Sequence, residues 1–268
     1  MRVIKEEFTD FKHLGLPDII KDICNSTEGI VAVCGPARSG KSTTIAHMIN
    51  YINASRRLHI ITIEDPIEFL YEDKKCLIDQ REIGIDTETF STALRYIMRE
   101  DPDLVFVGEL RDRESFEAAI NIAETGHLVF TTMHANNTAQ AVERIMDYFP
   151  YDQRDTVRTH IADNLKAVIV QQLLQKKDTK DLVPAIEIMI SNATIQKLIY
   201  ENRIAKIPAA IELESNSGMQ TFNQSLLKLV QSSEISEQTA FAISPNPEAL
   251  KLNLQGIFLE DAKKILEG

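Results

Sequence analysis

Between residues 29 and 133, short apolar runs alternate with amphipathic stretches, the pattern of a parallel sheet with helices on its faces. The runs 30–34, 58–63, 104–108 and 128–133 are short, β-rich and apolar enough to be strands buried on both sides. Helices are predicted over 41–52 and 87–99, the second with Asp86 as its N-cap and the Asp101-Pro102 pair as its stop.

From residue 138 the pattern changes. Val157, Ile161, Leu165, Val168, Ile169 and Leu173 recur at helical spacing and predict one long helix with an apolar packing face. A further strand is expected over 182–190. Short helices follow, as in 221–231 with Phe222, Leu226, Leu229 and Val230 turned inward. The expected organisation is a lead-in segment over 1–28, an α/β domain over 29–190 and a C-terminal helical subdomain over 191–268. Weak linker candidates fall at 176–180 and 214–218.

Composition narrows the function. With 268 residues, 44% of them hydrophobic, the chain can bury a full core. A formal charge of −11 and a pI of 5.1 disfavour nucleic acid as a partner, because a phosphate backbone binds proteins chiefly by releasing counterions to Lys and Arg. Residues 1–10 mix charges with single apolar residues and do not read as a signal peptide, so a cytoplasmic location is expected. The longest apolar runs are far short of the roughly 20 residues that cross a bilayer, so any membrane association is expected through a partner. Cys24, Cys34 and Cys76 are widely spaced and form no C-x-x-C pair, the pattern of packed thiols rather than of a zinc site.

The chemistry enters at Gly35-Pro36-Ala37-Arg38-Ser39-Gly40-Lys41-Ser42. This fits G-x-x-x-x-G-K-[ST] completely and lies between a predicted buried strand and a predicted helix, as the mechanism of a phosphate-binding loop demands. Gly35 and Gly40 let the backbone wrap phosphate, and the helix N-terminus adds donors and a positive dipole end. Lys41 is expected to reach the β and γ phosphates of ATP, Ser42 to offer a hydroxyl to Mg2+, and Thr43 to support the loop.

Two carboxylates join it. Strand 104–108 runs straight into Glu109, which places an acid beside the phosphate loop if the strands are adjacent and makes Glu109 the candidate for polarising water; an ordinary charge at a strand end is the other reading. Glu64 opens an acidic group, Glu64-Asp65-Pro66-Ile67-Glu68, where the proline stops pairing. Glu64 is a candidate contact for magnesium or its waters, against a solvated loop. His127 and His134 flank strand 128–133 and are not expected to share a metal. His134, at the ligand-binding end of such strands, is a candidate γ-phosphate sensor or a structural histidine.

Taken in order, LGLPDII (14–20), GPARSGKSTT (35–44), ITIEDPIEF (61–69), QREIGIDTETF (80–90), REDPDLVFVGELRD (99–112) and AETGHLVFTTMH (123–134) make the chain similar to the secretion and pilus ATPase superfamily. Within it, the chain most resembles the type IV pilus retraction ATPases of the PilT kind. The resemblance covers about residues 11–250. It implies a RecA-like P-loop NTPase fold with a doubly wound, mostly parallel sheet, and an ATPase whose segments are the Walker A loop, acidic box, Walker B segment and histidine box. It assigns Lys41, Ser42 and Thr43 to nucleotide and magnesium, Glu64 to the acidic-box role, Glu109 to catalysis, and His127 and His134 to nucleotide-dependent coupling. Arg81 and Arg111 match family arginines, with salt-bridge partnership as the other reading.

The resemblance also implies partners: a homo-hexamer or a hetero-oligomer with a full-length pilus ATPase, and an inner-membrane pilus platform protein, without direct membrane insertion. GMQTFNQSL (218–226) resembles the retraction subtype, and the four-cysteine module common in extension motors is not found. An extension or type II secretion ATPase is the alternative within the superfamily, and a weakly active or non-hydrolysing accessory subunit the alternative outside motor function. Three departures stand out. Ala37 and Arg38 replace the usual Thr and Gly, TIQKLIYE (194–201) is poorer in arginine, and only residues 1–10 precede the matching region where family members carry a PAS-like domain. Lacking the neighbour's arginine that this domain helps supply, hydrolysis is expected to be slow, since such an arginine contributes roughly 10³ to 10⁵ in other P-loop enzymes.

Overall fold

The computed structural model describes residue 8 and residues 10–258, so the readings of residues 1–7 and of the last residues of the C-terminal subdomain lie outside the described residues. Its centre is β1 (Gly29–Cys34), all six residues of which are buried. β5 (Leu128–Met133) pairs with it on one side and β6 (Leu165–Gln175) on the other, both parallel. With β2 (His59–Glu64), β3 (Leu77–Glu82), β4 (Leu104–Val107) and β7 (Leu182–Ile190), the sheet order is β3-β2-β4-β5-β1-β6-β7. Only the pairing of β6 with β7 is antiparallel.

Because successive side chains point to opposite faces, β1 feeds two cores. Val31 and Val33 pack with Ile45, Met48, Ile49 and Ile52 of α2 (Lys41–Ser55) and with α1 (Ile19–Cys24). Ile30, Ala32 and Cys34 face the other core, with α3 (Phe90–Ile97), α4 (Arg113–Glu124), α5 (Thr138–Asp147) and α6 (Arg154–Asn164). The sheet is thus covered on both faces, which is why its inner strands read as continuous apolar runs.

The C-terminal helices α7 (Ala193–Tyr200), α8 (Ile207–Leu213), α9 (Phe222–Gln231), α10 (Glu237–Ile243) and α11 (Pro247–Leu254) join this second core through Ile195, Ile211, Phe222, Leu226 and Leu250. α9 is capped by Thr221, whose side chain and that of Gln224 form a reciprocal capping box. Of its four residues expected inward, Phe222 and Leu226 are buried, and Leu229 and Val230 are partly buried against the core.

Three expectations are corrected. The long helix through 157–173 stops at Asn164, and Leu165 opens β6 instead. Val168, Ile169 and Val170 are buried because both faces of a central strand are covered, and such a run fits helical spacing as well as a strand. The helix expected from residue 87 starts at Phe90. Asp86 caps no helix but accepts from the Glu82 N–H within a turn, and Thr89 supplies the N-cap. β3 has no counterpart among the predicted strands. It is a half-buried edge strand of mostly polar residues, and the side chains of Asp73 and Asp86 take up the N–H groups of Ile78 and Glu82 that β2 does not reach.

Candidate nucleotide-binding site

At the end of β1 the chain turns through Gly35, whose φ is +146°. A Cβ there would lie 2.3 Å from the Gln171 carbonyl and 2.5 Å from Ser39 Oγ. Gly40, at φ +87°, is the N-cap of α2, and a Cβ there would meet the Gln171 amide nitrogen at 2.9 Å. Only glycine fits either position. Between them Pro36, Ala37 and Arg38 are exposed. Ser39 is buried, and its Oγ has no hydrogen-bond partner among the described residues.

Lys41 opens α2 and its Nζ donates to the Gly35 and Pro36 carbonyls, each at 2.9 Å. Half-burial lowers the pKa of this ammonium, opposed by the charge of Glu109. Ser42 and Thr43 follow on the first turn of the helix, and the Thr43 carbonyl faces His47 Nδ1 at 2.7 Å. A strand, a loop bent tightly at two glycines, an ammonium over that loop and a helix N-terminus form a donor set suited to a chain of phosphates.

The loop is braced from inside by a residue that sequence reasoning missed. Gln171 on β6, 2% exposed, donates from Nε2 to the Ser39 carbonyl at 2.6 Å and accepts from the Thr44 hydroxyl at 2.8 Å. One amide therefore joins the crest of the loop to the helix it feeds. No local pattern announces this, because the partners are more than a hundred residues apart; an amide amid the apolar run of β6 is the only signal.

Two carboxylates reach the same cleft from neighbouring strands. Glu64 ends β2 at 7% exposure; the Thr62 hydroxyl donates to its Oε1 at 2.8 Å and Gln80 Nε2 at 3.2 Å. Burial raises its pKa, and these hydrogen bonds hold the rise in check. Glu109 follows β4 and Gly108. Arg111 donates to its Oε2 from Nε at 2.8 Å, and His134 Nε2 lies 3.3 Å from its Oε1. The Thr132 hydroxyl on β5 donates to the Gly108 carbonyl, fixing the turn from which Glu109 projects. Lys41, Ser42, Glu64, Glu109, Arg111 and His134 line one cleft of about 800 Å³, counted to its open mouth.

The other sequence candidates lie elsewhere. His127 precedes β5, so the strand separates it by roughly 20 Å, at about 3.3 Å per residue, from the end that carries His134. Its carbonyl accepts from the Gly29 N–H and its ring meets the Thr125 hydroxyl. Arg81 on β3 forms a two-pronged ion pair with Glu100, the salt-bridge reading, while Arg111 pairs within the cleft. Cys24, Cys34 and Cys76 are buried free thiols, and burial pushes the Cys34 thiol to about 12. Among the described residues no helix is long and apolar enough to cross a membrane.

A phosphate loop on a central parallel strand, with carboxylates from two neighbouring strand ends in the same cleft, defines a P-loop ATPase of the RecA-like α/β class. Comparison with known proteins agrees. The chain is 44% identical over 249 residues to a twitching motility protein of Neisseria gonorrhoeae, covering 93% of this chain and 67% of that one. It is 43% identical over 247 residues to the type IV pilus retraction ATPase PilT of Pseudomonas aeruginosa, covering 92% and 72%. The crystal structure of the pilus retraction motor PilT with bound ADP superposes with a TM-score of 0.86 at 45% identity, over 93% of this chain and 71% of that one. Residues 1–237 match the Type II/IV secretion system protein family, and the chain belongs to that family.

Proposed function

We propose that the chain is the ATP-hydrolysing motor domain of a type IV pilus retraction ATPase. The observation that carries this reading is the convergence of Lys41, Ser42, Glu64, Glu109 and His134 on one cleft at the C-terminal ends of adjacent parallel strands, in a chain so similar to retraction motors.

Phosphoryl transfer to water asks a protein mainly to position the reactants and neutralise charge. In this reading residues 35–42 wrap the triphosphate of ATP, Gly35 and Gly40 supplying the curvature and Lys41 exchanging its two carbonyl partners for β and γ oxygens. Ser42 and the buried Glu64 are the hard oxygen ligands suited to Mg2+ or its waters, which when bound neutralises charge on the phosphates. Glu109, held at both oxygens by Arg111 and His134, directs water in line at the γ phosphorus and draws off its proton as the bond to the β,γ-bridging oxygen breaks. His134 is placed to register whether a γ phosphate is present. As a working assembly we infer a homo-hexamer, or a hetero-oligomer with a full-length pilus ATPase, acting on a pilus platform protein at the inner membrane.

Phosphate release by purified wild type, Lys41→Ala and Glu109→Gln tests the catalytic part. Turnover by wild type alone is expected; an equal rate in Glu109→Gln overturns the assignment. Deletion in a piliated host is expected to leave pili but abolish twitching, and loss of pili would point to extension instead.

A further inference from the structure

Glu187 lies on β7, one register step from Gln171, opposite Val170 of β6. It is 4% exposed, no basic side chain pairs with it in the described structure, and burial pushes its carboxyl above the usual range. A buried carboxylate without a cation is costly unless backbone donors satisfy it. Here two do. Oε1 accepts from the Thr138 N–H at 2.7 Å, and Oε2 accepts from the Phe222 N–H at 3.2 Å. Thr138 is the first residue of α5 and Phe222 the first of α9, so a single side chain ties two helix N-termini together, where their positive dipole ends favour a negative charge.

Each helix leads somewhere. α5 carries the loop that holds His134: Arg144 Nη1 donates to the His134 carbonyl at 2.7 Å, and the Asn136 N–H donates to Gln140 Oε1 at 2.7 Å. α9 begins within the 218–226 motif, and this motif clasps the free edge of β7. Gln220 pairs with Ile188, and Ser225 Oγ accepts from the Ile186 N–H at 2.9 Å.

We propose that Glu187 is a positioning residue for ATP hydrolysis: it couples the 218–226 motif and α9 to α5, and through α5 sets the His134 loop against Glu109. The 218–226 motif then acts on the site from the free β7 edge of the sheet, which gives the C-terminal helices a load path to the catalytic carboxylate. This rests on the hydrolytic reading of Glu109 and His134.

Two variants test it in the full chain. Glu187→Gln keeps the shape but turns an amide N–H₂ toward one of the two donors. Thr138→Pro removes the backbone donor together with the buried Thr138 hydroxyl: proline is well tolerated at the first helical position, and Asn137 before it is extended at φ −154°, ψ 168°, as a residue preceding proline prefers. Each variant is expected to lower kcat by about tenfold or more, since ångström misplacements at a reacting centre are costly, while KM for ATP stays within about twofold. In a His134→Ala background the loss is expected to vanish. Without nucleotide, amide hydrogen exchange over 134–141 is expected to speed up while 41–49 stays protected. Unchanged exchange over 134–141, or a kcat loss that persists undiminished in His134→Ala, overturns the proposal. Should Glu187→Gln not fold, Thr138→Pro decides. Should the wild type not hydrolyse ATP, the functional reading falls and the exchange comparison still decides whether Glu187 holds the loop.

Discussion

His134 Nε2 stands 3.3 Å from Glu109 Oε1 across the adjacent ends of β5 and β4. Arg111 takes the other oxygen, so the carboxylate is restrained from two sides yet keeps 21% of its side chain open to water. A group that must aim water at phosphorus needs both properties: a fixed direction and access to solvent. Glu109→Gln keeps the volume but loses the charge and the proton acceptor. It is expected to reduce kcat by about 10²- to 10⁴-fold, the range of general base catalysis, with nucleotide affinity unchanged. Phosphate release and titration with a fluorescent ADP analogue measure the two separately.

Gln171 makes a different prediction, because it touches the loop and not the reacting groups. Gln171→Leu strands the Ser39 carbonyl and the Thr44 hydroxyl without their partners. Each buried polar group left unpaired costs about 1–3 kcal/mol. Thermal denaturation is expected to show that loss, and ATP affinity should fall with it because the loop crest loses its brace. An unchanged melting temperature together with full affinity would show that the brace is dispensable.

The phosphate loop, the four apolar strands and the two strand-end acids were legible because each is a local pattern: glycine and lysine at fixed spacing, or a short apolar run ending in a charge. What was not legible depended on partners distant in the chain. β6 looked helical because Ile161, Leu165 and Val168 fit a 3.6-residue period, and what makes it an inner strand, pairing with β1 and β7 at its two edges and a core on each face, cannot be seen from residues 157–173. β3 was invisible because an edge strand needs no apolar run. The placement of His127 and His134 on either side of strand 128–133 was, by contrast, legible, and β5 separates them as that reading expects. Neither Gln171 nor Glu187 belongs to a motif in the sequence, and only the fold shows what each one holds.

Glu64 carries a pH prediction. Burial sets its folded pKa above the ordinary value of 4.5. When ionised it therefore opposes folding: the penalty is full above the folded pKa, fades as pH falls through the window toward 4.5, and is absent below it. Glu64→Gln removes the penalty while keeping an oxygen for the Thr62 hydroxyl and Gln80. The variant is expected to be more stable than wild type at neutral pH, to lose that advantage on acidification through the same window, and to hydrolyse ATP poorly at every pH. Denaturant titrations of both proteins across the acidic range read the difference, and a constant gap with pH would rule out Glu64 ionisation as its cause.

Arg38 offers the sharpest test of strain within the loop. It adopts φ +63° in the left-handed region, at the position where the family has glycine, and it is exposed, so no packing obliges it to be there. A left-handed L-residue costs about 1–2 kcal/mol, and glycine returns part of any gain, about 0.4–1 kcal/mol, through the freedom of its unfolded chain. Arg38→Gly is therefore expected to stabilise the protein by about 0.5–1 kcal/mol, the difference of those two effects. Arg38→Val should act in the opposite direction, because a β-branched residue is least at ease with positive φ. The two variants bracket the native residue, and chemical denaturation ranks all three. If Val and Gly prove equally stable, the loop relaxes out of the left-handed conformation and position 38 stores no strain.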